Sequence, residues 1–316
     1  MKKILTLGFL FCAFSAFGQK NFDFRYWEDS LIRLRNQVLT APTEVERYSL
    51  NVDFMIVLEH VLQEKNAPKF GWDSVRNFSV LASPDNLFKI FTWQVDKDDY
   101  TVENFGFIQV YNEGRKKYVI YPLYDKRATM DYPKTNIGNS NKWYGAVYYK
   151  MIPLKTKTRT YYTLLGWNGK DLFTNEKVIE ILYFKSDMSP VFGANVFKKY
   201  PEKSYRIIFE YAKDAVLTLK YQRQAFDVNT GRRDSKTHQV IFETEMKDMI
   251  IFNTLIPLDD YMGNIPAFTV PEASMNQGFV EDNGKWLFID KVKGRNPDKD
   301  RPAYKIKNRN YYHVNS

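Results

Sequence analysis

Apolar positions recur with a helical period near the N-terminus and with a period of two after about residue 77. Trp27, Leu31, Leu34 and Val38 are spaced by four, three and four residues. That spacing puts them on one face and predicts a helix over residues 22–39. Asp23 stands at its start, where a carboxylate can accept from the free first-turn amides. Val45, Val52, Met55, Leu58 and Leu62 predict a second helix over 42–64. Two starts are open for it: Thr40 as cap with Pro42 in the first turn, or Thr43 with Glu46 as a capping box. The short connection Leu39-Thr40-Ala41 makes the pair an antiparallel hairpin, and Asn66-Ala67-Pro68 ends it.

Farther along, aromatic and β-branched residues alternate with polar ones over short runs. Strands are expected near 78–82, 87–95, 103–111, 116–124, 142–153, 158–167, 204–211, 215–227, 238–245 and 248–255, with a last hairpin at 277–292. Asn112-Glu113-Gly114, Asn229-Thr230-Gly231 and Asp282-Asn283-Gly284 supply the positive φ that tight hairpins need. Thr174-Asn175-Glu176-Lys177 followed by Val178, Ile179, Ile181 and Leu182 reads as a capped two-turn helix, with a buried strand as the alternative. Residues 257–276 hold Pro257, Pro266, Pro271 and Gly263 and read as a long surface loop. Trp93 and Trp167 each fall near the end of a strand, and Tyr118–Asp125 is loosely echoed by Ile179–Asp187, a hint of a duplicated β unit.

The fold class is therefore mainly β (α+β). An N-terminal helical hairpin packs on a large antiparallel β-sandwich or open barrel; a β-propeller-like arrangement is the alternative. The domains expected are a signal peptide over 1–18, the helical hairpin over 19–70, the antiparallel β domain over 71–292 and a basic C-terminal tail over 293–316.

The first eighteen residues change the picture of where the chain works. Lys2 and Lys3 precede the apolar run Ile4–Phe14, and Ser15-Ala16-Phe17-Gly18 close it, the pattern of a secretory signal peptide. The run is too short for a spanning helix, which needs about 20 apolar residues. The single cysteine, Cys12, lies inside this run behind the bulky Phe11, which disfavours lipidation. Without Cys12 the exported chain has no disulfide or thiolate chemistry, which suits the periplasm or the outer membrane of a Gram-negative bacterium. The net charge of +9 becomes +7 once Lys2 and Lys3 leave. Nine basic residues against three acidic ones fall between Lys285 and Arg309, an attraction to anionic envelope glycan or lipid, or simply a solvated tail. No nucleic-acid partner and no transmembrane segment after signal removal are expected.

Candidate chemistry is thin. The histidines His60, His238 and His313 lack ligand spacing, so no metal and no cofactor are expected. Asp96-Lys97-Asp98-Asp99 and Asp298-Lys299-Asp300 lack the glycine and distal glutamate of a calcium loop. Glycoside hydrolysis would need two carboxylates about 5 to 10 Å apart; Glu103, Glu180, Glu210, Glu243 and Glu245 lie in or near expected elements. The aromatic load, 16% of the chain, is the better lead. Trp143, Tyr144, Tyr162, Trp167 and Asn168 are the candidate ligand-binding residues, because flat, partly polar rings can stack on sugars or line a pocket. Adjacent rings at 143–144, 148–149 and 161–162 must occupy both faces of a sheet, so the outer ones need cover from the helical hairpin, a loop or a ligand.

Trp143-Tyr144-Gly145-Ala146-Val147-Tyr148-Tyr149-Lys150, Tyr161–Gly169, Lys177-Val178-Ile179-Glu180 and Pro190-Val191-Phe192-Gly193 resemble a pattern in exported Bacteroidetes proteins that have no assigned activity. The resemblance covers about 50 of the 316 residues, supports export and the β assignment, and transfers no site. The function expected is that of an exported, non-catalytic envelope protein that binds a ligand or a protein partner through an aromatic-rich β surface. The alternatives are a polysaccharide hydrolase using paired carboxylates and a structural component of an envelope assembly.

Overall fold

The structure, a computed structural model, describes residues 22–292 apart from 65, 66, 68–71, 73, 113, 115 and 264. The expected signal peptide, the basic tail 293–316 with its Asp298-Lys299-Asp300, and Asn66 and Pro68 lie outside the described residues.

Both helices form where their caps permit, but α2 buries Asn51, Phe54, Leu58, Val61 and Leu62 and leaves Val45 and Val52 of the expected stripe exposed. The face it turns to the first sheet is set by contact with Trp93 and α1. Helix α1 (Phe24–Thr40) starts at Asp23, whose carboxylate accepts from the amides of Arg25 and Tyr26 at 3.0 and 3.2 Å. Helix α2 (Glu44–Leu62) takes the Thr43 start, with the Thr43 hydroxyl accepting from the Glu46 amide. Leu31, Leu34 and Val38 meet Phe54, Leu58, Val61 and Leu62 in one core. Phe91, Trp93, Val95 and Phe107 complete it from below. The Trp93 indole donates to Asn51 of α2 at 2.7 Å, which ties the helix pair to the first sheet.

That sheet is a meander of β1 (Ser79–Ala82), β2 (Phe88–Asp96), β3 (Val102–Asn112) and β4 (Lys117–Tyr124), all antiparallel. The middle sheet comprises β5 (Gly138–Asn139), β6 (Val147–Lys155), β7 (Thr160–Asn168), β8 (Thr174–Phe184) and β9 (Pro190–Phe192). The short β10 (Phe197–Lys198) leaves for the third sheet, and β11 (Ile207–Ala212) returns to pair with β8. The third sheet adds β12 (Leu219–Arg233), β13 (Val240–Pro257), β14 (Thr269–Asp282) and β15 (Lys285–Val292), again a meander. Only the β10–β15 pairing in it is parallel.

The layers stack face to face. Phe88, Ile90, Ile108, Val110 and Leu123 of the first sheet meet Tyr148, Tyr162, Leu164, Val178 and Leu182 of the middle one. On its other face, Leu154, Leu165, Ile179, Ile181 and Phe209 meet Leu219, Ile250, Phe252, Phe279 and Trp286 of the third. The protein is thus mainly β, with a helical hairpin on a stack of antiparallel sheets. The first sheet's outer face is closed by helices and not by the third sheet, so among the described residues the stack forms neither a barrel nor a propeller ring.

Several local readings are corrected. Residues 174–184 are a strand, not a helix: β8 runs through the middle layer and is buried on both faces, so Val178, Ile179, Ile181 and Leu182 flank Glu180 on both sides with no apolar–polar alternation. The strand expected over 142–153 starts at Val147, because Trp143 instead bridges to Asp125 beyond the end of β4. Asn229-Thr230-Gly231 is a register shift inside the β12–β13 ribbon; the chain turns at 234–239, where His238 takes φ 57°. Consequently 238–245 and 248–255 are one strand. Residues 269–276 extend β14, so the long loop shrinks to 258–268. The Asp282-Asn283-Gly284 turn forms as read, with φ 51° at Asn283 and 75° at Gly284.

One carboxylate joins the first two layers. Asp125 accepts from the amides of Asn104, Arg127 and Gly145 and from the Asn104 side chain, at 2.8 to 3.3 Å. A Cβ at Gly145 would collide with that carboxylate, so only glycine allows the approach.

Candidate functional site

Helix α1 carries one charged residue on its buried stripe. Arg35 is fully buried, and its guanidinium donates to three backbone carbonyls: Arg76 at 3.3 Å, Asn77 at 3.1 Å and Gln94 at 3.1 Å. Its remaining terminal nitrogen, Nη1, has no hydrogen-bond partner in the protein, and neither has Oε1 of Gln94. An unmatched buried polar atom costs about 1 to 3 kcal/mol. Burial pulls the Arg35 pKa down to about 10, opposed by Asp96, so the group stays cationic at neutral pH.

Both side chains line a cavity of about 360 Å³. It lies where α1, the start of α2, the end of β2 and the first residues of β6 come together, and Trp167 of β7 forms one wall. Arg47 stands at the wall from α2, its guanidinium held by Asp98, the Asp96 carbonyl and the Ala41 carbonyl. Asp98 is thereby a structural partner within the Asp96–Asp99 turn.

The five residues singled out by sequence do not converge on this cavity. The buried Trp143 indole donates to the Tyr148 hydroxyl at 2.9 Å. Tyr144 donates to Glu176 at 3.0 Å and Tyr162 to Asp85 at 2.5 Å. Asn168 donates to the Gly145 carbonyl and accepts from the Lys170 amide, each at 3.0 Å. Trp143, Tyr144 and Tyr162 belong to the core between the first and middle sheets. Trp167 is the exception: half-buried, hydrogen-bonded to Tyr211, and open to the cavity. The doublets divide: Trp143 and Tyr144 both enter the core between the first and middle sheets, so they do not occupy opposite faces. Of the outer tyrosines, Tyr161 is covered by the third sheet and Tyr149 stays 40% exposed at its edge. Tyr161 packs into the second core, and Tyr149 donates to the Leu219 carbonyl at 2.8 Å.

No family model, curated protein or solved structure matches the chain.

Sequence reasoning missed Arg35, Gln94 and Arg47. One signal was present: Arg35 follows Leu31 by four residues and precedes Val38 by three, inside the stripe that must be buried.

The carboxylates considered for hydrolysis are all engaged. Glu103 accepts from Tyr48, and Glu243 and Glu245 pair with Arg232 and Lys247. Glu180 pairs with Arg206 deep in the protein, both side chains fully buried. Glu210 faces Glu176 across the β11–β8 ladder, and Lys170 bridges them at 2.6 and 3.3 Å. Burial raises the Glu176 carboxyl above its ordinary 4.5, opposed by Lys170, Arg127 and the Tyr144 hydrogen bond. The folded state thus holds a proton that the unfolded chain gives up, and this group's contribution to stability falls as pH rises from 4.5 through the folded pKa. We expect the stability of Glu176→Gln relative to wild type to climb with pH across that window and to be level on either side. Urea midpoints over a pH series measure it, and a difference that stays level throughout would refute the assignment.

Proposed function

We propose that the protein is an exported, non-catalytic envelope protein and that the cavity over Trp167 holds its ligand. The observation that carries this reading is an unmatched donor and an unmatched acceptor, Arg35 Nη1 and Gln94 Oε1, buried on two residues that line one cavity. Folding tolerates such a pair at a cost, and a ligand that supplies the missing partners recovers it. A volume of about 360 Å³ suits a small molecule. The signal-like first eighteen residues and the basic stretch from Lys285 to Arg309 support an envelope setting. Engagement of every candidate carboxylate by a tyrosine, lysine or arginine favours binding over hydrolysis.

The test is a thermal-shift and calorimetric panel of saccharides, amino acids, nucleotides and envelope lipids on the mature chain, alongside Leu39→Trp. Leu39 lines the cavity and is 39% exposed, so a larger ring there fills space without entering the core. We expect at least one compound to raise the wild-type melting temperature by mass action and to lose that effect in Leu39→Trp. A shift that survives Leu39→Trp, or breakdown of an offered polysaccharide, would overturn the reading.

A further inference from the structure

The cavity's wall chemistry narrows the class of ligand, given that the cavity is a binding site. We propose that the ligand is a carboxylate-bearing sugar, its carboxylate taken by Arg35 and its ring laid against Trp167.

Charge comes first. The three partners of Arg35 are neutral carbonyls, so they satisfy donors without cancelling the cation. No carboxylate lies within ion-pair distance of it among the described residues; Asp96 acts on it only at longer range. Arg47, by contrast, has its own carboxylate in Asp98. One cation with one free nitrogen calls for a single anionic oxygen pair. A phosphate would draw on several such groups at once.

A half-buried indole offers a flat apolar face to the C–H face of a sugar ring. The free acceptor on Gln94 calls for a hydroxyl donor on the same molecule, which simple carboxylates lack. A cavity of about 360 Å³ admits one or two sugar rings. Neither free atom is open to water, so binding requires the half-buried Gln94 side chain to turn aside as the ligand enters.

The experiment titrates the mature chain with glucuronate and galacturonate, with glucose and galactose as neutral counterparts, and with acetate as the bare anion. Isothermal calorimetry and melting temperature are read for wild type, Gln94→Glu, Arg35→Lys and Leu39→Trp. We expect a uronate to bind at least about tenfold more tightly than its neutral counterpart and than acetate, the worth of a charge-assisted hydrogen bond. Gln94→Glu sets a negative charge beside the ligand carboxylate and should weaken binding by a similar factor while leaving the fold intact. Arg35→Lys keeps the charge but cannot hold the three carbonyls and also present a free donor where Nη1 stands, so partial binding is expected there. Neutral sugars binding as tightly as uronates, with Gln94→Glu indifferent, would overturn the acidic-sugar assignment. A non-saccharide that binds and is blocked by Leu39→Trp would do the same, and in both cases the cavity reading would survive. Uronate binding that persists in Leu39→Trp would overturn both.

Discussion

Arg206→Met should unfold the protein at a much lower urea concentration than wild type, with a loss of about 3 to 5 kcal/mol. Arg206 donates to Glu180 at 2.5 Å and to the Pro133 carbonyl at 2.5 Å, and its guanidinium lies 5.4 Å from the Tyr144 ring centre. Neither ionic side chain is exposed. Removing the cation leaves Glu180 on the central strand with only backbone amides, chiefly Ile181 at 2.9 Å, to stabilise its charge. Burial already raises the Glu180 carboxyl above its ordinary 4.5, with Arg206 opposing. Without Arg206 the folded pKa climbs further, so the penalty should be small below 4.5 and grow as pH rises toward neutrality. Replacing both partners with apolar residues, Glu180→Met with Arg206→Met, should recover much of the loss, because no uncompensated charge is left inside. Equilibrium urea melts of the three variants at acid and neutral pH measure this. A single variant as stable as wild type at neutral pH would show that the pair is not sealed from water. Since a domain of this kind is stable by only about 5 to 15 kcal/mol, the expected loss is a large share of the whole.

Trp143→Ala should cost a comparable amount, about 3 to 5 kcal/mol, and act on stability before it acts on any ligand. Its ring is fully buried between the first two sheets, and its indole bond to Tyr148 would leave that hydroxyl unmatched. Trp143→Phe keeps most of the volume and should lose far less. Trp167→Ala provides the contrast. Its ring is half-buried and walls the cavity, so the variant should melt near wild type yet lose ligand-induced stabilisation. Urea melts and ligand titrations of both variants separate the two roles. Near wild-type stability in Trp143→Ala combined with lost ligand binding would restore Trp143 to a binding surface and refute its place in the core.

The two tryptophans show how much of the site the sequence revealed. Both lie in aromatic-rich segments, and period-two reasoning marks both as rings on or beside a sheet. What separates them is position: Trp143 precedes the first residue of β6 and turns into the core, whereas Trp167 sits near the end of β7 beside the helix pair. Arg35 had a legible signal in its helical phase, but Gln94 had none. It reads as an ordinary polar residue on β2 until Trp167 is brought against it from more than 70 positions away.

Local periodicity determined the elements. Backbone geometry fixes 3.6 residues per turn in a helix and two per repeat in a strand, so neighbouring residues alone disclosed α1, α2, the first meander and the Asn283-Gly284 turn. Tertiary structure decided which faces are covered, and by what. The middle sheet is buried on both sides, which erased the alternation in β8 and made it look helical. The outer ring of Tyr161 found its cover in a third sheet formed by residues that follow it in the chain, whereas Tyr149 only hydrogen-bonds to that sheet's edge and stays partly exposed. Such cover depends on contacts between residues distant in sequence, and a period measured along one segment carries no information about them.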